Sequence, residues 1–376
     1  MKEVKLLLVG IGGYGENYIK ELFTNSLHDT KLVAVADPFI SKSPYLDELV
    51  KREIPIFRTP EEFYAGGRSA DLVVISSPIH THYSYIMCAL DHQSNVLCEK
   101  PVSIDETLME NLIKKEKESN RFVAVGYQLC FSNPLQALKK DILDGLFGAP
   151  VRFKALRMMR RGDAYYQRNT WAGKLRCHGE NVFDSPLSNA CAHQLQTMLY
   201  LLGSSIETSC TVESAEGSLV KGRPTIENYD GASVCFHTKE QVDVYFYTAH
   251  CIDEQKVGPF GMFEFEKATI LDQDDVFTAC FKDGTLKNYG CELPEERLKK
   301  LHDAIECVRN GNRPPCTLVS SLAHTKAVLL AQDLPVRIAS TAEKKLAKDE
   351  FYYAVPHLKE TYLNAYEHWT LPAESV

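Results

Sequence analysis

A chain of 376 residues exceeds one typical domain and suits two, and a composition of 44% hydrophobic and 24% charged residues lets each bury its own core. A formal net charge of -8, with no long run of Lys and Arg, argues against nucleic acid and against an anionic membrane surface as partners. The 12 cysteines stand singly from Cys88 to Cys316 with no CxxC pair and no metal-ligand spacing, so we expect reduced thiols, no metal and a cytoplasmic location.

The opening run Met1-Lys2-Glu3-Val4-Lys5, followed by Leu6 to Val9, is too brief for a signal peptide and ends in glycines, so it reads as a buried first strand. No stretch approaches the roughly 18 consecutive apolar residues of a membrane span. Short apolar runs then alternate with helical patterns to Gly126, the signature of βαβ units and a doubly wound parallel sheet. Strands are expected at Leu6–Val9, Leu32–Ala36, Leu72–Ile75, Val96–Cys98 and Phe122–Val125. Ser43-Pro44 and Thr59-Pro60 read as helix caps followed by a first-turn proline, and Ser103-Ile104-Asp105-Glu106 as a capping box.

After Gly126 the texture changes. A helix to about Gly145 leads into Val151–Met159, and from Thr208 to Tyr289 successive runs rich in Val, Phe, Tyr and Thr predict a mainly antiparallel sheet. Asp283-Gly284 between Phe281 and Leu286 is a hairpin signal. Helical patterns return over about Glu295–Asn310 and, after Pro315, up to Leu334. The expected division is an α/β Rossmann domain over 1–126 and an α+β domain over 127–376.

Gly10-Ile11-Gly12-Gly13-Tyr14-Gly15 gives G-x-G-x-x-G directly after the first strand and at the start of a helix. The first glycine permits the tight turn, the second lets backbone approach a pyrophosphate, the third allows close helix–strand packing, and the helix N-terminus adds N–H groups. Asp37 closes the second strand about 20 residues further on, where a carboxylate accepts hydrogen bonds from a ribose diol. It would also repel a 2′-phosphate, which favours NAD over NADP, although Lys42 lies nearby.

Cys98-Glu99-Lys100-Pro101 stands at the carboxyl end of a predicted parallel strand, where open α/β sheets bind ligands. Taken alone it reads equally as a solvated Glu-Lys pair. Together with the glycine turn, Asp37, the Ser77-Pro78 and His82 segment and Gly126-Tyr127-Gln128, it makes the chain resemble the glucose-fructose oxidoreductase and inositol dehydrogenase (Gfo/Idh/MocA) family. The resemblance implies a nicotinamide cofactor and a sugar, polyol or related alcohol substrate. It also implies a C-terminal sheet used for substrate binding and for assembly into a dimer or tetramer. By the same resemblance Lys100 reaches both the nicotinamide ribose and the reacting oxygen.

Ser185-Pro186 reads as a cap and Gly203 as a stop, predicting one helix over Pro186–Leu202. At about 100° per residue, Asn189, His193, Gln196 and Tyr200 share a stripe expected to face solvent or a wet cleft, opposite Leu187, Cys191, Leu195, Met198 and Leu202. A lone helical His is more often structural. The resemblance instead matches His193 to the family's general acid or base, with Asn189 and Gln196 where the family often carries aspartates and Cys130 where many members have Arg. Asp184, just before the helix, is a second candidate base.

The segment from Arg160 to Gly179, notably Arg168-Asn169-Thr170-Trp171, suits either a polyhydroxylated or acidic ligand or an oligomer interface. The expected reaction is reversible alcohol oxidation, with hydride leaving a substrate carbon and a proton passing to His193 or Lys100, and with Tyr127, Arg168, Trp171, Asp184 and Asn189 around the substrate. Two other readings stay open. One is a glycosidase or epimerase-like reaction through transient oxidation; the other is a non-catalytic ligand sensor, which Asn189 and Gln196 keep in play.

Overall fold

The computed structural model describes residues 3–24, 27 and 29–372, so Met1 and Lys2 of the opening run lie outside the described residues. In chain order the first elements are β1 (Val4–Val9), α1 (Gly15–Thr24), β2 (Thr30–Ala36), α2 (Leu46–Lys51), β3 (Ile56–Phe57) and α3 (Pro60–Ala65). They are followed by β4 (Leu72–Ile75), α4 (His82–Asp91), β5 (Asn95–Cys98), α5 (Glu106–Ser119) and β6 (Val123–Val125). These strands form one parallel sheet in the order β3-β2-β1-β4-β5-β6. Helices on a parallel sheet bury both its faces, and all four residues of β4 are fully buried. That is why the strands read as continuous apolar runs.

Local starts differ in detail from the sequence expectation. Thr59 caps α3 by accepting from Glu62 N at 3.4 Å, with Pro60 in the first turn as expected. Ser43 is engaged in a local turn, its Oγ accepting from Tyr45 N at 3.2 Å, so α2 begins only at Leu46. Asp105 rather than Ser103 caps α5, accepting from Leu108 N at 3.0 Å. The two-residue β3 is too short to leave a pattern.

The remaining elements are α6 (Asn133–Leu143), β7 (Pro150–Met159), α7 (Asp163–Gln167), β8 (Arg176–Cys177), β9 (Glu180–Asn181) and α8 (Ala192–Leu201). Then come β10 (Val212–Lys221), β11 (Gly231–Thr238), β12 (Asp243–Ala249), β13 (Lys256–Phe265), β14 (Ala268–Gln273), β15 (Val276–Phe281) and β16 (Leu286–Gly290). The chain ends with α9 (Lys299–Asn310), α10 (Leu318–Gln332), β17 (Val336–Ile338), β18 (Glu343–Ala347), β19 (Glu350–Ala354) and α11 (Leu358–His368).

Contacts group the chain into two compact units: residues 1–131 with 293–321, and 132–292 with 322–376. A single boundary after Gly126 does not express the return of 293–321 to the first unit. That return is made by specific bonds: Val125 N donates to Cys316 O at 2.9 Å, Arg313 Nη2 to Glu116 Oε1 at 2.8 Å, and Lys300 Nζ to Glu99 Oε1 at 2.5 Å.

The second unit is built on a nine-stranded sheet ordered β16-β15-β14-β13-β7-β12-β11-β10-β17. It is antiparallel except where β7 meets β12 and β10 meets β17. The expected Asp283-Gly284 turn joins β15 to β16, with Gly284 at φ +89°. α11 packs on Leu156, Met158, Tyr247 and Ala249, and the buried Lys154 donates to Tyr366 O at 2.6 Å near the helix C-terminus. Among the described residues no helix is long and apolar enough to cross a membrane.

Candidate active site

Register fixes where the first unit presents its chemistry. Val9 pairs with Ala36 and with Ile75, Ile75 with Cys98, and Cys98 with Val125. The residues that follow each strand therefore leave the sheet along one carboxyl edge: Gly10, Asp37, Ser76-Ser77, Glu99-Lys100 and Gly126-Tyr127. Every sequence-predicted cofactor residue lies on or beside this edge.

The glycines of the first turn have different physical reasons. Gly10 sits at φ +79°, and a Cβ there would stand 2.7 Å from Ser77 N. A Cβ on Gly15 would stand 2.2 Å from Gly10 O, so the start of α1 packs directly on the turn. A Cβ on Gly12 would meet nothing within 4 Å. Its lack of a side chain serves no packing, and it leaves open backbone beside a helix N-terminus, which fits a pyrophosphate. Ile11 N donates to Asp37 Oδ2 at 2.9 Å and Phe39 N to Asp37 Oδ1 at 2.8 Å. Both carboxylate oxygens are thereby oriented, and each keeps accepting capacity for ribose hydroxyls. These residues fit NAD.

His82 is buried, with Nε2 2.8 Å from Ser77 O and Nδ1 2.9 Å from Pro101 O, and so ties the segment after β4 to the segment after β5. Burial pushes its basicity down, against the two carbonyls and Glu99. Ser77 Oγ shares a hydrogen bond with Thr81 Oγ1 at 2.6 Å, and Pro78 precedes the turn at 79–81.

Glu99 is not a solvated carboxylate. Tyr18 Oη donates to its Oε1 at 2.5 Å, and the buried Lys300, besides its ion pair with Glu99, donates to Gly126 O at 3.2 Å. Glu99 is thus a fixed anchor beside Lys100, and the Lys100-Pro101 peptide is cis. Tyr127 is buried, and burial pushes its phenol pKa well up. Tyr14 Oη donates to Gln128 Oε1 at 3.4 Å, and Cys130 lies buried just beyond.

In the second unit the expected single helix is divided. Ser185 does cap it, with Ser185 and Ser188 forming a reciprocal capping box, but Pro186–Ala190 is a π-helical turn closed at Cys191, and α8 starts at Ala192. The 100° stripe therefore does not carry through from Asn189 to His193. Gln196 and Tyr200 are fully buried rather than facing water. Gln196 Nε2 donates to Ser209 Oγ at 3.3 Å and Tyr200 Oη to Ile206 O at 2.6 Å. Asn189 and His193 are half-buried. Asn189 Nδ2 donates to Asp184 Oδ1 at 2.9 Å, while Asp184 Oδ2 accepts from Gly173 N at 2.7 Å.

Gly203 ends α8 for a packing reason, since a Cβ there would stand 2.0 Å from Thr208 O. The buried Lys139 donates to Gly203 O at 2.7 Å. Arg168 lies with its guanidinium 3.6 Å from the Tyr165 ring centroid and 5.1 Å from that of Trp171. Asn169 Oδ1 holds the loop by accepting from Trp171 N at 3.1 Å and Ala172 N at 2.8 Å.

Sequence reasoning missed Lys300 and Tyr18 around Glu99, and Tyr166, Arg223 and His250 in the second unit. None has a local motif. It also missed Glu216, Cys235 and His237, which the antiparallel pairing of β10 with β11 places with possible ligand atoms within 4.8 Å of one another.

A family described as "Oxidoreductase family, NAD-binding Rossmann fold" (Gfo/Idh/MocA) matches residues 4–127. The scyllo-inositol 2-dehydrogenase (NAD(+)) of Bacillus subtilis is 22% identical over 346 residues, covering 88% of this chain and 93% of that protein. An inositol 2-dehydrogenase of Rhodococcus jostii is 27% identical over 150 residues, 39% of each chain. Among solved structures, the WlbA dehydrogenase of Bordetella pertussis, in complex with NADH and UDP-GlcNAcA, superposes with a TM-score of 0.71 at 18% identity, covering 88% of this chain and 97% of that one. The aldose-aldose oxidoreductase of Caulobacter crescentus gives 0.70 at 17%, covering 88% and 98%. These structural likenesses speak for the fold, and the family match over 4–127 falls on the edge described above. Residues 4–127 match the NAD-binding Rossmann domain of the Gfo/Idh/MocA oxidoreductase family, and by that domain the chain is an NAD-binding oxidoreductase.

Proposed function

We propose that the chain is an NAD-dependent dehydrogenase that reversibly oxidises a CH–OH group of a sugar, polyol, inositol or related alcohol. The observation that carries this is the convergence of Gly12, Asp37, Ser77 and Glu99-Lys100 on one carboxyl edge by strand register. The reading assigns cofactor binding to residues 1–126, and substrate binding and assembly into a homo-oligomer to 127–376. Inositol 2-dehydrogenases among the relatives support the substrate class.

Bound NAD supplies the hydride acceptor. Asp37 would hold the adenosine ribose hydroxyls, the backbone at Gly12 and Gly13 the pyrophosphate, and Ser77, Pro78 and Glu99 would complete the cofactor site. Lys100 Nζ orients the substrate hydroxyl and exchanges a proton with it. His193 is the second proton acceptor, with Tyr127, Arg168, Trp171, Asp184 and Asn189 as substrate contacts. The Asp184–Asn189 hydrogen bond supports a positioning role for the pair.

The test is a screen of sugars, inositols and sugar acids for NADH formation by the full chain. A substrate-dependent rise in NADH is expected, with NADP much poorer. Lys100→Met is expected to keep NAD affinity within about tenfold while lowering turnover by roughly 10² or more. Cofactor binding without turnover of any alcohol would overturn the reading, and unchanged turnover in Lys100→Met would remove Lys100 from the chemistry.

A further inference from the structure

Three strand ends of the second unit deliver basic groups to one place. β7 and β12 run parallel and finish side by side, with Met158 paired to Ala249, so Arg161 and His250 leave the sheet together and Arg161 N donates to His250 O at 3.3 Å. β10 turns through Gly222-Arg223, held by Asp230, which accepts from Gly222 N at 2.6 Å and Arg223 N at 3.0 Å. His250 N donates to Asp230 O at 2.7 Å. The α7 segment adds Tyr165 and Tyr166, whose rings lie under the guanidiniums of Arg161, Arg168 and Arg223.

The carboxylates around this cluster are already engaged. Asp163 accepts from Arg223 Nη1 at 2.5 Å, Asp184 from Gly173 N and Asn189, and Asp230 from the two backbone amides. The donors are not. Arg223 is 3% exposed, yet its Nε and Nη2 are buried with no hydrogen-bond partner among the described residues. The same holds for Arg161 Nε and for Nε2 of His250, which is 2% exposed and bonded at Nδ1 to Tyr166 Oη at 2.9 Å. Burial, then the charges of Arg161, Arg168 and Arg223, push the His250 pKa well down, so the ring stays neutral among three cations.

A buried unpaired donor loses its hydration with no replacement, so folded proteins keep few of them. Four in one cluster, three on guanidiniums, match the demand of a compact oxyanion, which arginine binds through paired charge-assisted hydrogen bonds. We propose that Arg161, Arg168, Arg223 and His250 bind an anionic group of the substrate, a carboxylate or phosphate monoester on a polyhydroxylated carbon chain. The proposal rests on the dehydrogenase reading for the word substrate, and the anion site itself stands on the cluster alone.

The test uses the full chain with saturating NAD and a matched series: glucose, gluconate, glucuronate and glucose 6-phosphate, with acetate and inorganic phosphate as minimal probes. Calorimetry gives affinity and NADH formation gives turnover. At least one anionic probe is expected to bind tenfold or more tighter than glucose, the arms with carboxylate and phosphate telling which oxyanion fits. Arg223→Gln is expected to abolish that preference. Because Arg223 is buried and its loss disturbs Asp163, the less buried Arg161→Gln and Arg168→Gln are measured too, each expected to weaken the anionic probe tenfold or more. Equal binding of neutral and anionic probes, no binding of any anion, or indifference of the anion to all three variants overturns the proposal. Arginine-dependent anion binding without NADH supports the anion site and counts against the dehydrogenase reading. NADH from neutral polyols, with acids neither binding nor inhibiting, does the reverse.

Discussion

At Gly12 and Gly15 the same substitution is expected to have opposite consequences. An added Cβ at Gly12 meets no protein atom within 4 Å, whereas at Gly15 it stands 2.2 Å from a backbone oxygen. Gly12→Ala should therefore leave the melting temperature of the NAD-free protein nearly unchanged and weaken NAD binding by roughly tenfold or more, because the methyl occupies the approach to the backbone. Gly15→Ala should lower the melting temperature, as overpacking typically costs about 1–3 kcal/mol. Thermal scans and NAD titrations separate the two, and a Gly12→Ala protein that binds NAD like the parent would take the pyrophosphate away from this turn. Lys300 offers a second residue-scale test. Its side chain is 1% exposed and that of Glu99 is 13% exposed, so Lys300→Met strands a shielded carboxylate, with an expected cost of roughly 3–5 kcal/mol. Adding Glu99→Gln to Lys300→Met should recover part of that loss in denaturant melts; a double variant no more stable than the single would mean that the pair is not what holds the segment.

Among the elements, those with local causes were legible and those with distant causes were not. The buried stretches of β1, β2, β4, β5 and β6 announce themselves because strand residues covered on both faces must be apolar, and α3 because Thr59 and Pro60 act within one turn. The region 186–202 misled because Ser185, Gly203 and the apolar spacing are all compatible with one helix. The π turn that interrupts it and the burial of Gln196 and Tyr200 depend on packing that no local window contains. The bonding of Glu99 to Lys300 spans 201 residues, and Arg223 meets Asp163 across 60. In the β14–β15 hairpin the partner is local and the burial is not: Asp272 is buried beside Asp275 and its carboxyl is raised to about 8, first by burial and then by the Asp275 charge. A folded pKa above the unfolded value of about 3.9 means that Asp272 contributes fully below pH 4 and loses stability as pH rises through 8. Asp272→Asn keeps an acceptor for Asp275 N, which bonds Asp272 Oδ1 at 2.9 Å, and carries no charge. Its melting temperature relative to the parent should rise steadily from pH 4 to pH 9; a difference independent of pH would contradict the burial argument.

The course of the whole chain constrains how it can be divided. The Rossmann pattern ends near Gly126, and composition alone places a boundary there, yet the first unit takes in residues 293–321 as well. That return brings Lys300 to Glu99, Cys316 O to Val125 N and Arg313 to Glu116, and it adds an antiparallel bridge from Thr317 to Ala124 on the outermost strand β6. A polypeptide of residues 1–131 would keep every glycine of the nucleotide turn and Asp37. It would leave the Glu99 carboxylate without its cation and the edge of β6 uncovered, which invites edge-to-edge association. Such a fragment is expected to unfold or aggregate and to bind NAD poorly. Joining residues 293–321 to it through a flexible Gly/Ser linker should restore cooperative unfolding and NAD affinity within about tenfold of the full chain, since the linker adds only slowly growing closure entropy. Circular dichroism melts and NAD titrations on both polypeptides, with Lys300→Met in the joined one as a control, distinguish the possibilities. If residues 1–131 alone melt cooperatively and bind NAD as the full chain does, the return segment is dispensable to the nucleotide domain, and Lys300 serves some purpose other than holding Glu99.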